Sequence, residues 1–249
     1  MAAEWWNNTN YAHGFLIPIL SLVVLWNRRK ELQGIQVSPE FKGLWIFSFG
    51  LFTYFAGIAG KEEVIEQFSL PLTLLGLVCF LCGRTAARLT VFPIGYLYFM
   101  IPLPYLIFRD IAFHLRLFDT KVVAMMASLL GVPVFRENFI LHLPEISLEV
   151  ADACSGAFSS MALLALGVFY IHELKRPAKI FLWLLLIPLA VLSNIMRILV
   201  IVLVSYYSGN WILHSSFHLL SGTFNFLVGF GALVFISILL EKSPKQDYS

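Results

Sequence analysis

The chain has 249 residues, of which 59% are hydrophobic and only 13% are charged, and its formal net charge is +2. A soluble domain typically carries about a quarter charged residues, so this composition excludes a soluble globular protein and indicates a polytopic membrane protein. The net charge does not indicate a nucleic-acid partner, because the basic residues stand in short segments between apolar runs.

Seven apolar runs are predicted to cross the membrane, because each approaches the roughly 20 residues that a hydrocarbon core requires. In chain order they cover Tyr11–Trp26, Leu44–Gly60, Leu70–Gly83, Leu89–Phe108, Cys154–Tyr170, Ile180–Tyr207 and Ser221–Leu240. The N-terminus lacks the basic residues of a cleavable signal, so the first run is expected to stay in the protein. The predicted fold is all-α, a helical bundle of about 7–8 transmembrane helices that forms one domain over residues 1–249.

Basic residues set the predicted orientation. Short cytoplasmic loops are enriched in Lys and Arg, so the alternating crossings place the N-terminus outside and the C-terminus in the cytoplasm. The protein is therefore expected to span the inner (cytoplasmic) membrane, in contact with lipid. Eleven of the 17 Lys and Arg residues fall on the cytoplasmic side in this arrangement: Arg28, Arg29, Lys30, Lys42, Arg84, Arg88, Lys175, Arg176, Lys179, Lys242 and Lys245.

Polar and proline residues interrupt the first half of the chain at two places. An acidic loop is predicted at Lys61–Glu66, between the second and third runs. The fourth run contains Pro93, Pro102 and Pro104, each of which lacks a backbone N–H. We expect neighbouring helices or water to satisfy the carbonyls that these prolines leave free.

The segment at about residues 109–153 is predicted to be extracytoplasmic. In Arg109–Gly131, charged and apolar residues recur at spacings near three and four, as in an amphipathic helix at the outer interface. A tilted or half-buried membrane helix fits the same pattern. From Ile140 to Val150 the period changes to two around Pro144–Glu145, which predicts a small β-hairpin.

Cys154 stands where this segment meets the fifth run, with Asp152 before it and Ser155 and Gly156 after it. An unpaired cysteine is commonly a small buried hydrophobe. The free amides of a helix N-terminus favour a thiolate, however, so this position also suits a nucleophile. The two cysteines of the third run, Cys79 and Cys82, are interpreted as apolar filler, and no disulfide framework is predicted.

Arg197 lies inside the apolar run that begins at Ile180, and Asn194 precedes it by one helical turn. At about 1.5 Å per residue, Arg197 comes close to the outer boundary of a roughly 30 Å core, near the predicted depth of Cys154. An arginine inside a membrane span is a functional-site hypothesis by default. A snorkelling or topology-fixing arginine is the structural alternative.

Two histidines, His214 and His218, precede the last run and stand four residues apart, so they could share a helix face. Metal binding is the alternative, but a zinc site needs further ligands, and no metal or cofactor is predicted. His218 is the expected base, because it is nearer to the packed helix. A Cys–His pair with an arginine beside the developing oxyanion is suited to attack on a peptide carbonyl.

Together these residues resemble the exosortases, bacterial relatives of the archaeosortases. The resemblance covers essentially the full chain and implies that Cys154 is the nucleophile, His218 the general acid/base and Arg197 the oxyanion-stabilising group. One departure is Asn138, where the hairpin is expected to turn on Gly, although Asn also tolerates positive φ. The matching pieces are Ala153-Cys154-Ser155-Gly156 with Ser159, Asn194-x-x-Arg197, Phe217-His218-x-x-x-Gly222 and His13-Gly14-x-x-x-Pro18.

The resemblance also implies the substrate, an exported protein with a C-terminal sorting signal made of a Pro-Glu-Pro-like motif, a transmembrane helix and a basic tail. Cleavage after the motif would form a thioester on Cys154, which an acceptor amine or water then resolves. Two other interpretations stay open. One is a non-enzymatic membrane transporter or lipid-binding subunit, in which Arg197 binds an anionic headgroup. The other is a serine protease that uses Ser155 or Ser159 with His218.

Overall fold

The computed structural model describes residues 5–6, 9–102, 104–150, 157–174, 176–209 and 215–242. The chain divides into two compact units, residues 1–104 and residues 105–249. The single integral-membrane domain over residues 1–249 stays a prediction. The first unit contains helices α1 (Leu16–Asn27), α2 (Arg29–Gln33), α3 (Phe41–Gly60), α4 (Glu63–Cys82) and α5 (Arg84–Tyr96), with 3-10 turns at Thr9–Phe15 and Leu97–Met100.

The second unit is helical with one small sheet. It contains helix α6 (Tyr105–Leu129), strands β1 (Phe135–Glu137), β2 (Ile140–His142) and β3 (Ser147–Glu149), and helices α7 (Ala157–Glu173), α8 (Arg176–Ser208) and α9 (Ser215–Lys242). The mostly helical class agrees with the sequence, but the predicted count of membrane helices is not confirmed. Within the described residues, three helices are long and apolar enough to span a membrane, at Phe41–Gly60, Glu63–Cys82 and Lys179–Ser208. Three shorter apolar helices cover His13–Asn27, Ser160–Glu173 and Asn225–Leu240.

Helices α3 and α4 form a tight antiparallel hairpin. The predicted acidic loop is shorter than expected, because α4 already begins at Glu63, where acidic side chains suit the positive end of the helix dipole. Gly50 lies in the middle of the α3 face that packs on α4, and a Cβ built on it would lie 2.9 Å from the backbone N and Cα of Thr73. Gly43 and Gly57, seven residues to either side, are also buried against α4. Small residues at this spacing let two helix backbones approach closely.

The proline in α5 is compensated by α1, as the sequence predicts. Pro93 has no N–H to donate to the carbonyl of Leu89, four residues earlier. The guanidinium of Arg28 donates to that carbonyl at 2.9 Å. The hydroxyl of Ser21 donates to the carbonyl of Pro93 itself at 2.7 Å. Two side chains, one from α1 and one from the residue that follows it, therefore satisfy the backbone around the break.

The sheet is a three-stranded antiparallel meander in the order β1-β2-β3. The predicted hairpin is confirmed as β2 and β3, with Leu141 opposite Leu148. The strand β1 was not predicted, because only three residues pair and their apolar alternation is too short to be recognised. Asn138, in the turn between β1 and β2, has φ 51°, which is the left-handed conformation that asparagine tolerates.

The core of the second unit joins α6, the sheet and α8. Its members are buried apolar side chains, so the sheet and the two helices share one hydrophobic core. From α6 come Val123 and Ala127, from the sheet and its flanks Val132, Leu141, Leu143, Leu148 and Val150, and from α8 Ile195, Ile198, Leu199 and Val202.

Helix α9 packs on α8 through buried polar as well as apolar contacts. The hydroxyl of Ser193 on α8 lies 2.5 Å from Oδ1 and 3.0 Å from the backbone oxygen of Asn225 on α9, and donates into this pair of acceptors. A Cβ built on Gly229, one turn further along α9, would lie 3.0 Å from the same hydroxyl. The small residue permits this close contact, which sets the register of the two helices.

Candidate functional site

A buried polar pair joins α6 and α8 beside the apolar core. Nδ2 of Asn194 donates to Oδ2 of Asp119 at 2.7 Å. The exposed fractions are 0% for Asn194 and 1% for Asp119, so water does not screen the contact. The other carboxylate oxygen of Asp119, Oδ1, has no hydrogen-bond partner among the described residues. The pair is therefore a polar contact inside the protein that only partly satisfies the carboxylate.

Arg197 follows Asn194 by one turn of α8 and is also buried, with an exposed fraction of 8%. Its guanidinium lies near α9 at Gly222, because a Cβ built on that glycine would lie 3.8 Å from Nη2. His218 stands four residues before Gly222 in the same helix, a spacing that places the two positions on one helix face. The structure thus brings Arg197 against the face of α9 to which the His218 position belongs.

One turn of α6 also holds the sheet. The Arg116 guanidinium lies over the ring of Phe139, 4.2 Å from its centroid, and Nη1 donates to the carbonyl of Val150 at 3.4 Å. The hydroxyl of Thr120 lies 2.7 Å from the Arg116 carbonyl of its own helix and 3.1 Å from the carbonyl of Asn138, so it contacts the turn between β1 and β2. The backbone N–H of Val150 in turn donates to the carbonyl of Phe139 at 3.0 Å. The chain is therefore anchored on both sides of its backbone four residues before Cys154.

Burial raises the pKa of Asp119 to about 6, and the hydrogen bond from Asn194 lowers it by a smaller amount. The carboxylate loses its hydration in the packed interior, which disfavours the charged form. Helix α6 is not among the candidate membrane spans of the described chain. The buried carboxyl of Asp119 therefore holds its proton more readily than an ordinary aspartate.

Most of the predicted site residues around the nucleophile lie outside the described residues. These are Asp152, Cys154, Ser155, Gly156 and His214, and the side chain of His218 is not described either. Their predicted roles stay predictions. Of the predicted set, Asn194 and Arg197 are the two whose side chains the structure describes.

Asp119 was not among the predicted site residues. In the sequence it is one of several charged residues of an amphipathic segment, and such residues usually face water. A signal was nevertheless present, because Asp119, Val123 and Ala127 are spaced by four and so share one helix face. An acidic residue in line with a small apolar stripe is a candidate for a buried polar contact with another helix.

Comparison with known proteins gives one match. The family model described as transmembrane exosortase matches residues 5–235 of the chain. The match spans both compact units and includes all the predicted site residues. No match was found among the curated proteins or among the solved structures.

Proposed function

The chain belongs to the transmembrane exosortase family, and on that premise we propose that it cleaves the C-terminal sorting signal of exported proteins with Cys154 as nucleophile. Members of this family are membrane-embedded enzymes that process sorting signals and are described as cysteine transpeptidases. The finer proposal is that the signal consists of a Pro-Glu-Pro-like motif, a transmembrane helix and a basic tail. The proposed cleavage follows the motif.

The proposed mechanism has two acyl-transfer steps. His218 takes the proton of the Cys154 thiol, and the thiolate attacks the peptide carbonyl carbon, whose oxygen becomes an oxyanion beside Arg197. His218 then gives the proton to the leaving amine, so the C–N bond breaks, a thioester forms and the helix with its tail departs. An acceptor amine or water next attacks the thioester carbonyl, and the sulfur leaves and recovers its proton.

The observation that best supports this mechanism is the proximity of the Arg197 guanidinium to α9 at Gly222. It supports the assignment of Arg197 and His218 to one site, because the His218 position lies one turn away on the same face. The hydrogen bonds that hold the backbone of Val150 support the assignment of Cys154 as the nucleophile of the same site. Cys154 is four residues further along, and four residues span at most about 14 Å.

The proposed location follows from the charge pattern. We place the enzyme in the inner (cytoplasmic) membrane with the N-terminus outside, the C-terminus in the cytoplasm and the active site on the extracytoplasmic side. The preference of short cytoplasmic loops for Lys and Arg supports this orientation. Asn194, Ser155, Gly156, His214 and Asp152 are proposed as supporting or substrate-binding residues of the same site.

The test is processing of a reporter protein that ends in a Pro-Glu-Pro motif, a transmembrane helix and a basic tail. Cys154→Ala is expected to abolish processing, whereas the matched control Cys82→Ala, in α4, should process normally. If Cys154→Ala keeps full activity and Ser155→Ala or Ser159→Ala abolishes it, the nucleophile is a serine. If none of these changes affects processing, neither Cys154 nor these serines is the nucleophile, which is the result that the interpretation as a binding or transport subunit predicts.

A further inference from the structure

We infer that Asp119 is a positioning residue, which together with Arg116 fixes the helix that carries Arg197 relative to the strand that leads to Cys154. This inference rests on the proposed function, since it concerns the same reaction. The structure shows that three polar side chains within one turn of α6 contact two separate parts of the fold. Asp119 binds α8 through Asn194, and Arg116 and Thr120 bind the sheet and its flank.

The two segments that α6 contacts lie close in sequence to Arg197 and Cys154, the two groups proposed to act on the substrate carbonyl. On α8, Asn194 is three residues before Arg197, a helical rise of about 4.5 Å. On the sheet side, the carbonyl that Arg116 binds belongs to Val150, four residues before Cys154. Helix α6 therefore links the two segments from which the nucleophile and the oxyanion-stabilising group extend. A shift of α6 would move these two segments relative to each other.

Stability alone does not account for this arrangement. Asp119 is 1% exposed and belongs to the helix that contributes Val123 and Ala127 to the apolar core, and an apolar residue in its place would avoid the desolvation of a carboxylate. Replacing a buried polar pair by well-packed apolar residues is often neutral or stabilising in proteins. A directed amide–carboxylate bond instead fixes one register between α6 and α8, which is what a positioning role requires.

The test compares variants of the full-length protein in detergent, with the same reporter as substrate. Asn194→Asp places two carboxylates together, and Asp119→Ala removes the acceptor. Both are expected to lower kcat about a hundredfold with little change in KM, because a misplacement of about 1 Å costs this much and the inferred role of the pair is to position the helix that carries Arg197. The exposed acid of the same helix provides the control, and Asp110→Ala should leave kcat unchanged.

The decisive variant is the exchange Asp119→Asn with Asn194→Asp. It restores one amide and one carboxylate, so the hydrogen bond can form in the opposite direction. We expect kcat to recover to within about tenfold of the unchanged protein, since the register of the helices is restored. Because the exchanged pair keeps the polar contact, this variant remains informative even if Asp119→Ala fails to fold.

The outcomes separate the inference from the proposed function. An Asn194→Asp defect that the second change at Asp119 does not repair would overturn the inference, because Asn194 would then act on its own. The inference is equally wrong if Asp119→Ala lowers the yield of folded protein but leaves its kcat unchanged. If Cys154→Ala keeps activity, the proposed function fails, and the inference fails with it. If Cys154→Ala is inactive and the exchange does not restore kcat, the inference alone fails.

Discussion

Arg28 combines two roles at the residue scale. Its charge belongs to the basic cluster after α1, which suits the cytoplasmic side of a membrane. Its guanidinium also donates to the Leu89 carbonyl that Pro93 leaves without its helical donor. An unsatisfied carbonyl in a packed or apolar environment is costly, so the arginine stabilises the break in α5 as well as marking the topology.

A double-mutant cycle tests this structural role. Arg28→Met is expected to lower the free energy of unfolding by about 1–3 kcal/mol, because the Leu89 carbonyl loses its donor. With Pro93→Ala, residue 93 regains an N–H that can reach the same carbonyl, so Arg28→Met should then cost about 1 kcal/mol less. Denaturant titration in detergent measures all four proteins. Arg29→Met provides the charge-matched control, because Arg29 donates to the Trp26 carbonyl of its own segment. Equal costs in both backgrounds would exclude the compensation.

Asp119 makes stability depend on pH. Its folded-state pKa of about 6 lies above the ordinary value of 3.8, so the folded state binds the proton more tightly. The proton on Asp119 therefore stabilises the folded state. This stabilisation is complete at pH values below the ordinary pKa of 3.8, is lost as the pH rises from there to about 6, and is absent above that pH. The side chain of Asp119→Asn does not titrate. The Tm of this variant minus the Tm of the unchanged protein should therefore increase from pH 4 to 6 and stay constant above pH 6.

Thermal unfolding in detergent at a series of pH values measures this difference. Asp110→Asn, the same change at an exposed position of α6, is measured in parallel as the control. A difference between Asp119→Asn and the unchanged protein that is the same at every pH would show that the carboxyl keeps its ordinary pKa on folding.

At the scale of elements, the α3–α4 hairpin depends on close contact between backbones. Gly50→Ala would place a methyl group 2.9 Å from backbone atoms of Thr73, which only a shift of one helix can relieve. We expect the change to lower the free energy of unfolding by about 1–3 kcal/mol, as overpacked cores do. Gly60→Ala is the control in the same helix, because its added methyl group would meet only the Glu62 side chain, at 3.8 Å. Thermal unfolding in detergent compares them, and equal Tm values would contradict the close contact.

Helix α6 shows how far an element can be predicted from its sequence. The spacing of charged and apolar residues predicts the helix, which the structure places at Tyr105–Leu129. That spacing does not determine which polar residues face water, because this depends on partners far away in the chain. Asp119 is buried because Asn194, 75 residues later, donates to it. Asn194 and Arg197, by contrast, could be selected from sequence, since a polar pair within a long apolar run is conspicuous wherever the run packs.

At the scale of the whole molecule, the predicted and observed helices differ most where the chain breaks. The fourth predicted span, Leu89–Phe108, is divided in the structure among α5, the 3-10 turn Leu97–Met100 and the beginning of α6. A hydropathy profile detects a continuous apolar run. It does not show whether prolines divide the run into separate helices, because this depends on neighbouring side chains that supply the missing hydrogen-bond donors. The number of membrane-spanning helices is therefore harder to predict than the order of polar and apolar segments along the chain.

The α3–α4 hairpin sharpens the prediction of orientation. Each helix has 20 residues, enough to cross a hydrocarbon core of about 30 Å. A turn of two residues joins them, so Glu62 and Glu63 lie at one end of the hairpin and Lys42 and Arg84 at the other. Positive charge favours the cytoplasmic side, so the acidic turn should face outward.

Cysteine labelling in spheroplasts tests this orientation in a background in which Cys79, Cys82 and Cys154 are replaced by Ala. A cysteine at the exposed position Glu62 should react with a membrane-impermeant maleimide, whereas one at the exposed position Lys30 should react only after the membrane is permeabilised. Both positions are exposed and are predicted to face opposite sides of the membrane, so unequal labelling reports topology. The reverse pattern would place the acidic turn in the cytoplasm. The proposed extracytoplasmic site would then lose its support, because the same charge pattern orients both.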